Sequence, residues 1–331
     1  MADEGTKERI ARVYRRFARY EARGRSPVYV EIAAKVAEDP RMIEFLAELP
    51  PSKRQPNLFF GAVQYLDGPI GGWPRFAAVF AERAAEIRDV MRRRSTQTNE
   101  PARCAAFLPV LAALPQPVAL IEVGASAGLC LLPEKYGYDY GSHVIPGNPT
   151  FSCQANAATP CPDRLPEVVW RAGLDLNPLD VSDPDDCAWL EALIWPGEGD
   201  RRPRLRAALE IARADPPRVV RGDLRTDLPA LAAQAPPEAT LVVYHTAVLM
   251  YLHNDEPGRE AFAEAVRATG AVWLANEGPR LIPGVDLASL PTSPSGNGRP
   301  SDEFVLARNG RPLAWTDPHG TWLEWLDADG R

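Results

Sequence analysis

The sequence predicts an α/β protein: a Rossmann-like, mostly parallel sheet, preceded by an N-terminal helical cap and closed by a C-terminal antiparallel hairpin. Three observations predict it. Apolar residues at helical spacing fill nearly all of residues 1–115. From residue 118 onward, short runs rich in Val, Leu and Ile alternate with helical patterns, which reads as βαβ units and a parallel sheet. Near the end, two further apolar runs flank Asn309-Gly310, the dipeptide favoured in two-residue hairpin turns.

The cap comes first. Glu8 to Arg23 places Ile10, Val13, Tyr14, Phe17 and Tyr20 three to four residues apart, one apolar stripe of a helix. Ser26-Pro27 supplies a capping hydroxyl and a proline at the first helical position of the next. Leu58 to Leu66, Trp73 to Met91 and Pro101 to Leu114 continue the pattern. The prolines of Leu114-Pro-Gln-Pro117 mark a boundary, giving a cap at 1–115 and a sheet domain at 116–331.

In the second part Val118 to Val123 reads as the first strand, Val168 to Leu174 as the second and Pro217 to Asp223 as the third. Thr240 to Thr246 is the fourth and Ala271 to Glu277 the fifth. Arg204 to Ala214 and Arg259 to Thr269 have helical spacing between them, and Ala247 to His253 reads as a helix after the fourth strand. Residues 135–166 form an insertion in which Tyr136, Tyr138, Tyr140 and Phe151 alternate; they suit a half-buried strand or the wall of a substrate pocket. A Pro-, Ser- and Gly-rich loop at 290–300 precedes the hairpin.

The balance of charge, −7 from 37 basic and 44 acidic residues, disfavours a nucleic-acid role, which needs clustered positive charge. The first residues are charged, and no apolar run approaches the length of a membrane span. Cys104, Cys130, Cys153, Cys161 and Cys187 are scattered; Cys153 and Cys161 lie too far apart for a zinc clip. A reduced, cytoplasmic protein acting on a small molecule is expected, with no metal, no nucleic-acid partner and no membrane partner; its oligomeric state is left open.

The most informative stretch is Val118-Ala-Leu-Ile-Glu-Val-Gly-Ala-Ser-Ala-Gly128. An apolar strand leads to an acid, then a small-residue turn, then the expected start of a helix. Gly124 and Gly128 permit a sharp turn and close approach of backbone to a ligand. The N–H groups of a following helix would face polar or anionic atoms. Three readings stay open: a nucleotide-like cofactor site, a serine hydrolase using Ser126 of the G-x-S-x-G pattern, and a tight turn without a ligand. A hydrolase elbow normally follows several strands, whereas here helices precede it and Glu122 has no role in it.

The pattern Glu122-x-Gly124-x-Ser126-x-Gly128 resembles the first motif of class I S-adenosylmethionine-dependent methyltransferases, with Ser126 in place of the middle glycine. Asp175 after the second strand and Gly222-Asp223 after the third extend the resemblance. It implies S-adenosylmethionine as cofactor, with Glu122, Gly124, Ser126 and Gly128 around its methionine part, Asp175 at the ribose and Asp223 at the adenine. The combination of Glu122 to Leu129, Gly173 to Asp180, Trp189 to Pro196, Arg201 to Leu205 and Asp317 to Trp322 also resembles the bacterial family catalogued as domain of unknown function 2332. That resemblance implies no particular activity, because a fold does not give a function.

Candidate chemistry then rests on residue types. Tyr244, His245 and Thr246 end the fourth strand, where an acceptor would sit. His245 suits a general base, its ordinary pKa being near neutral, or else caps the following helix. Glu277 suits a base or a partner for a cationic acceptor, against a salt bridge to Arg280. His319 is held in a turn, either returning to the cleft or stabilising that turn. Trp195, Glu198, Arg201 and Arg202 form a loop suited to a substrate carboxylate or phosphate, against an ion-paired rim. The leading expectation is methyl transfer to a small molecule. The alternatives are a nucleoside-like ligand bound without methylation, and hydrolysis by Ser126.

Overall fold

The computed structural model describes residues 3–294 and 303–326. In chain order come helices α1 (Glu4–Arg16), α2 (Pro27–Val36), α3 (Pro40–Ala47), α4 (Pro56–Asp67), α5 (Trp73–Arg93) and α6 (Cys104–Ala113). Strand β1 (Val118–Val123) follows, then the short strands β2 (Gly137–Asp139), β3 (Val144–Ile145), β4 (Thr150–Ser152) and β5 (Gln154–Ala155). The rest is β6 (Val168–Asp175), α7 (Pro184–Ala192), α8 (Arg201–Ala214), β7 (Val219–Arg221), α9 (Leu228–Ala232), β8 (Thr240–Thr246), α10 (Glu256–Ala268), β9 (Val272–Glu277), β10 (Phe304–Arg308), β11 (Arg311–Thr316) and β12 (Trp322–Trp325).

Two compact units result. One comprises residues 1–98 and 182–206, the other 99–181 and 207–331. Residues 99–115 thus cluster with the sheet, and 182–206 with the N-terminal helices.

The first unit is helical. Ser26 Oγ accepts from Tyr29 N (3.3 Å), and Pro27 opens α2, so the predicted cap forms. Ile10, Tyr14 and Phe17 are buried as the stripe requires, but Val13 and Tyr20 are exposed at 44% and 41%. For Tyr20 the reason lies at Phe17–Glu21, a π-helical turn that changes the angular period and swings Tyr20 off the stripe; Val13 precedes that turn, on the exposed edge of α1. Trp195 stacks on Phe17 and Tyr29 (centroids 5.3 and 5.5 Å).

The second unit is mixed α/β around a large, mostly parallel sheet of order β5-β12-β11-β10-β9-β8-β1-β6-β7. Its parallel part, numbered by appearance, runs 3-2-1-4-5: β7, β6, β1, β8, β9. Strand order therefore reverses between β1 and β8. The hairpin β10–β11 continues antiparallel from β9. Asn309 and Gly310 both have positive φ (51° and 80°), as the tightest hairpin turn demands. Of the loop at 290–300, residues 295–300 lie outside the described residues.

Alternation along the strands sorts the two faces. Ile121, Val123, Val243, Trp273, Ala275, Val305 and Trp315 share one face and one core with Phe262, Ala263 and Val266 of α10. Glu122, Tyr244, Thr246 and Asn276 alternate with them and lie on the other face, where Tyr244 packs on Phe107 of α6 (centroids 5.1 Å). Fully buried apolar strands are what a sheet covered on both faces requires.

The insertion is core, not pocket wall. Strands β3-β2-β4 form a small sheet, and Tyr136, Tyr138, Tyr140 and Phe151 are buried. Each hydroxyl finds a carbonyl: Tyr136 that of Leu129, Tyr138 that of Pro133, Tyr140 that of Ala105 (2.6–2.8 Å). Buried tyrosines need such partners.

Candidate functional site

At the carboxyl end of β1 the chain turns through Gly124, Ser126 and Gly128, all with positive φ (71°, 53° and 74°). The turn is pinned to the neighbouring strand. Gly124 N donates to Leu174 O (2.7 Å), and Ser126 N to the Asp175 carboxylate (2.8 Å). The same carboxylate accepts from Asn177 N (2.7 Å). A sequence reading cannot tell what the missing side chains make room for. Here a Cβ on Gly124 would overlap Val248 Cγ2, and one on Gly128 would come 2.8 Å from Pro217 Cγ. The close approach is made by the chain's own side chains.

The expected helix after the turn is absent. Leu129–Leu131 and Pro133–Lys135 are single 3₁₀ turns, and Leu129 N donates to the buried side chain of Asn99 (3.0 Å). Pro133 cannot donate a helical N–H, which helps explain the interruption. No helix terminus therefore points at a ligand from this turn.

His245 and Glu277 meet on the α10 face. The ring is wholly buried, with Nδ1 2.8 Å from Glu277 Oε1 and Nε2 accepting from Trp273 Nε1 (3.0 Å). An accepting Nε2 leaves the proton on Nδ1, so His245 donates to Glu277. Glu277 Oε1 also accepts from Val248 N (2.7 Å) and Leu249 N (3.2 Å). It is thus the glutamate, not the histidine, that caps the following segment, which is a 3₁₀ turn at Leu249–Leu252 rather than the expected helix. Ala247 immediately before it has φ 59°, uncommon for a residue with a Cβ. Both ring nitrogens of His245 are therefore taken up by protein partners.

The opposite face carries a polar row. Glu122, Thr246, Asn276 and Thr316 are all buried, at 2%, 6%, 0% and 0% exposure. Thr316 Oγ1 donates to Asn276 Oδ1 (2.6 Å). Glu122 Oε2, Thr246 Oγ1 and Asn276 Nδ2 have no hydrogen-bond partner, nor has Ser126 Oγ in the adjoining turn. Native proteins rarely leave such atoms bare, and these gather at the carboxyl ends of neighbouring strands. Burial holds the Glu122 carboxyl well above its ordinary range; the Cys130 thiol acts in the same direction and Arg103 against it. Arg103 is itself buried and donates from Nε to Pro318 O (2.8 Å).

The remaining expected residues divide by unit. Tyr244 is buried, its hydroxyl donating to Cys130 O (2.8 Å) and its pKa raised by that burial. Asp223 is paired with Arg225, whose guanidinium holds the carboxyl below its ordinary value. His319 sits in a turn, its N–H donating to Asp317 Oδ1 (2.9 Å). Trp195, Glu198, Arg201 and Arg202 belong to the first unit. There Arg25 lies over Trp195 (4.5 Å), Glu198 pairs with Arg25 and Arg201, and Arg202 pairs with Glu191. These are ion pairs of a short loop and of the first turn of α8, where Arg201 and Arg202 lie. Glu277 makes no ion pair with Arg280; the side chain beside it is His245.

Asn99, Glu100, Arg103, Asn276 and Thr316 escaped the sequence reading. A signal existed for most: Asn99-Glu-Pro-Ala-Arg103 is a polar run directly before a wholly apolar helix, and Asn276 interrupts an apolar strand. Among the described residues, no group of three or more His, Cys, Asp or Glu is arranged to hold a metal ion. No helix among them is long and apolar enough to cross a membrane.

The model of one protein family, described as an uncharacterized protein conserved in bacteria (DUF2332), matches residues 11–69 and 67–325. The chain belongs to that family. No curated protein matches the chain.

Proposed function

We propose that this member of the DUF2332 family is an S-adenosylmethionine-dependent methyltransferase acting on a small molecule. One juxtaposition carries the reading. Glu122, the Gly124–Gly128 turn, Asp175 and Asp223 cluster at the carboxyl ends of β1, β6 and β7, three neighbouring parallel strands, beside the point where strand order reverses. Open α/β sheets bind ligands in the crevice at such a point. The loops beyond β6 and β8 also expose apolar side chains, Leu176 at 68% after β6, and Met250 at 50% and Tyr251 at 60% after β8. Apolar surface around a few polar groups suits a nucleoside.

In this reading Glu122 and Ser126 face the methionine part, Asp175 the ribose and Asp223 the adenine. Each Asp175 oxygen already takes one N–H, and a carboxylate oxygen can accept a second. Asp223 would share its charge with Arg225. Methyl transfer is an in-line displacement, so the protein's main task is to set the acceptor against the sulfonium methyl group. Thr246 and Asn276 stand at the strand ends where that acceptor would lie. His245 and Glu277 act at one remove, by fixing the backbone of Val248 and Leu249.

A second reading is favoured by one observation. Val248 covers Gly124, and Pro217 with Val219 covers Gly128, so the turn is shielded from close approach. A protein that binds a nucleoside-like ligand without methylating fits that closure. Hydrolysis by Ser126 finds less support, because its Oγ is buried and bonded to no histidine. Asp175→Ala and Asp223→Ala test the cofactor map. Each should weaken S-adenosylhomocysteine binding about tenfold with the circular dichroism spectrum unchanged. Unaltered affinity in both would contradict the map.

A further inference from the structure

Thr246 and Asn276 are register partners on the adjacent parallel strands β8 and β9. Partners in neighbouring strands lie about 4.8 Å apart and present their side chains to the same face. Both side chains are nine-tenths or more buried, and each ends in an atom without a hydrogen-bond partner, Thr246 Oγ1 and Asn276 Nδ2. In the amide orientation found, Thr316 Oγ1 donates to Asn276 Oδ1 (2.6 Å) and Nδ2 is the atom left over; the turned-over amide would leave an acceptor there instead, because the Thr316 hydroxyl can also accept. As found, the pair offers two N–H donors and one hydroxyl, which both donates and accepts.

The chemistry of that pair selects among ligands. An ammonium needs acceptors alone, and a carboxylate needs donors alone together with a balancing charge. A ligand hydroxyl needs one donor and one acceptor, side by side. Both atoms are closed from solvent as they stand, so a ligand oxygen must be admitted between the two strand ends, about one strand spacing apart, to meet both side chains. The charges around the row do not demand a charged ligand. Arg103 and Glu100, three residues apart in one turn, carry opposite charges, and Glu122 is held toward its neutral form by burial.

We propose that Thr246 and Asn276 together bind a hydroxyl group of a neutral, polyhydroxylated small molecule, the second substrate of the site. Asn276 Nδ2 donates to the hydroxyl oxygen, and the hydroxyl donates to Thr246 Oγ1. Glu122, on the same face of β1, is within one strand of a second hydroxyl on the same ligand. The proposal rests on reading the carboxyl edge of the sheet as a ligand site, but its failure is separable from failure of the methyl-donor assignment.

The test uses the full chain and a matched panel: glycerol, glucose and myo-inositol as neutral polyols, gluconate as carboxylate, glucosamine as amine. Binding is measured by calorimetry with and without S-adenosylhomocysteine, on the wild type, Thr246→Val and Thr246→Ser. Thr246→Val keeps the shape and removes the hydroxyl; comparison with it cancels any general stabilisation by polyols. At least one neutral polyol should bind the wild type, about tenfold more weakly to Thr246→Val, with Thr246→Ser restoring most of the loss and S-adenosylhomocysteine affinity unchanged throughout. Equal polyol binding in wild type and Thr246→Val overturns the proposal. So does preference for gluconate or glucosamine, or binding by no member of the panel while the nucleoside still binds. A crystal structure with only an ordered water between Thr246 and Asn276, undisplaced by the polyols, overturns it as well.

Discussion

Replacing Glu277 tests whether the buried pair with His245 is a structural clamp. Its Oε1 accepts from His245 Nδ1, Val248 N and Leu249 N at 2.8, 2.7 and 3.2 Å; His245, Glu277 and Leu249 are fully buried and Val248 is half-buried. Glu277→Ala strands those donors. A buried donor left without a partner costs about 1–3 kcal/mol. Local relaxation lets one of the backbone groups find another partner, so with two donors stranded the expected loss is about 2–6 kcal/mol. That is a large share of the roughly 5–15 kcal/mol that holds a typical protein folded. Glu277→Gln keeps the accepting oxygen, gives up the charge and turns the partnerless Oε2 into an amide nitrogen. Charge-assisted bonds are about twice as strong as neutral ones, so this variant should lose about 1–2 kcal/mol. Urea unfolding, followed in parallel by tryptophan fluorescence and circular dichroism, measures both. Loss of less than about 1 kcal/mol in Glu277→Ala, or equal losses in the two variants, would refute the clamp.

Glu122 makes a prediction about pH. Burial raises its folded pKa well above the ordinary value. Between those values the folded protein keeps a proton that the unfolded chain releases, so stability is full at lower pH and falls as pH rises through the window. Glu122→Gln has no proton to lose, so its stability should decline less between pH 5 and pH 8; parallel curves for variant and wild type would contradict this. Gly124→Ala should destabilise by about 2–4 kcal/mol, from a left-handed backbone at φ 71° and overlap with Val248. Adding Val248→Ala should recover the overlap part alone, about half; full additivity of the two losses in a double-mutant cycle would show that they do not touch.

Much of the fold was legible because it rests on local patterns. The five parallel strands fall where their apolar runs lie, and Asn309-Gly310 turns as its backbone preferences require. Ser26-Pro27 starts its helix for equally local reasons. The misreadings are non-local. Nothing within Gly124 to Gly128 reveals that Val248 and Pro217, more than one hundred and about ninety residues away, fill the space beside the glycines. The absent helix after Gly128 follows from Pro133 and from Asn99 taking the N–H of Leu129, one visible in the sequence and the other not.

The site divides in the same way. Residue type alone favoured His245, because a histidine at a strand tip is chemically attractive. Which face a residue occupies decides otherwise, and alternation along a strand makes that readable once one neighbour is assigned. His245 shares the face of Val243 and is sealed by Trp273 and Glu277. Thr246 and Asn276 share the other face and keep polar atoms without partners. Asn276 interrupts an apolar strand, but only its tertiary setting, with Thr316 on Oδ1 and no partner for Nδ2, gives that interruption a meaning.

The central claim is that the carboxyl edge of the sheet binds S-adenosylmethionine. Titration calorimetry of the purified chain with S-adenosylmethionine and S-adenosylhomocysteine, after mass spectrometry has checked for a ligand carried through purification, tests it most directly. The account predicts micromolar binding of both, about −8 kcal/mol. Absence of binding by ligand-free, folded protein would contradict it.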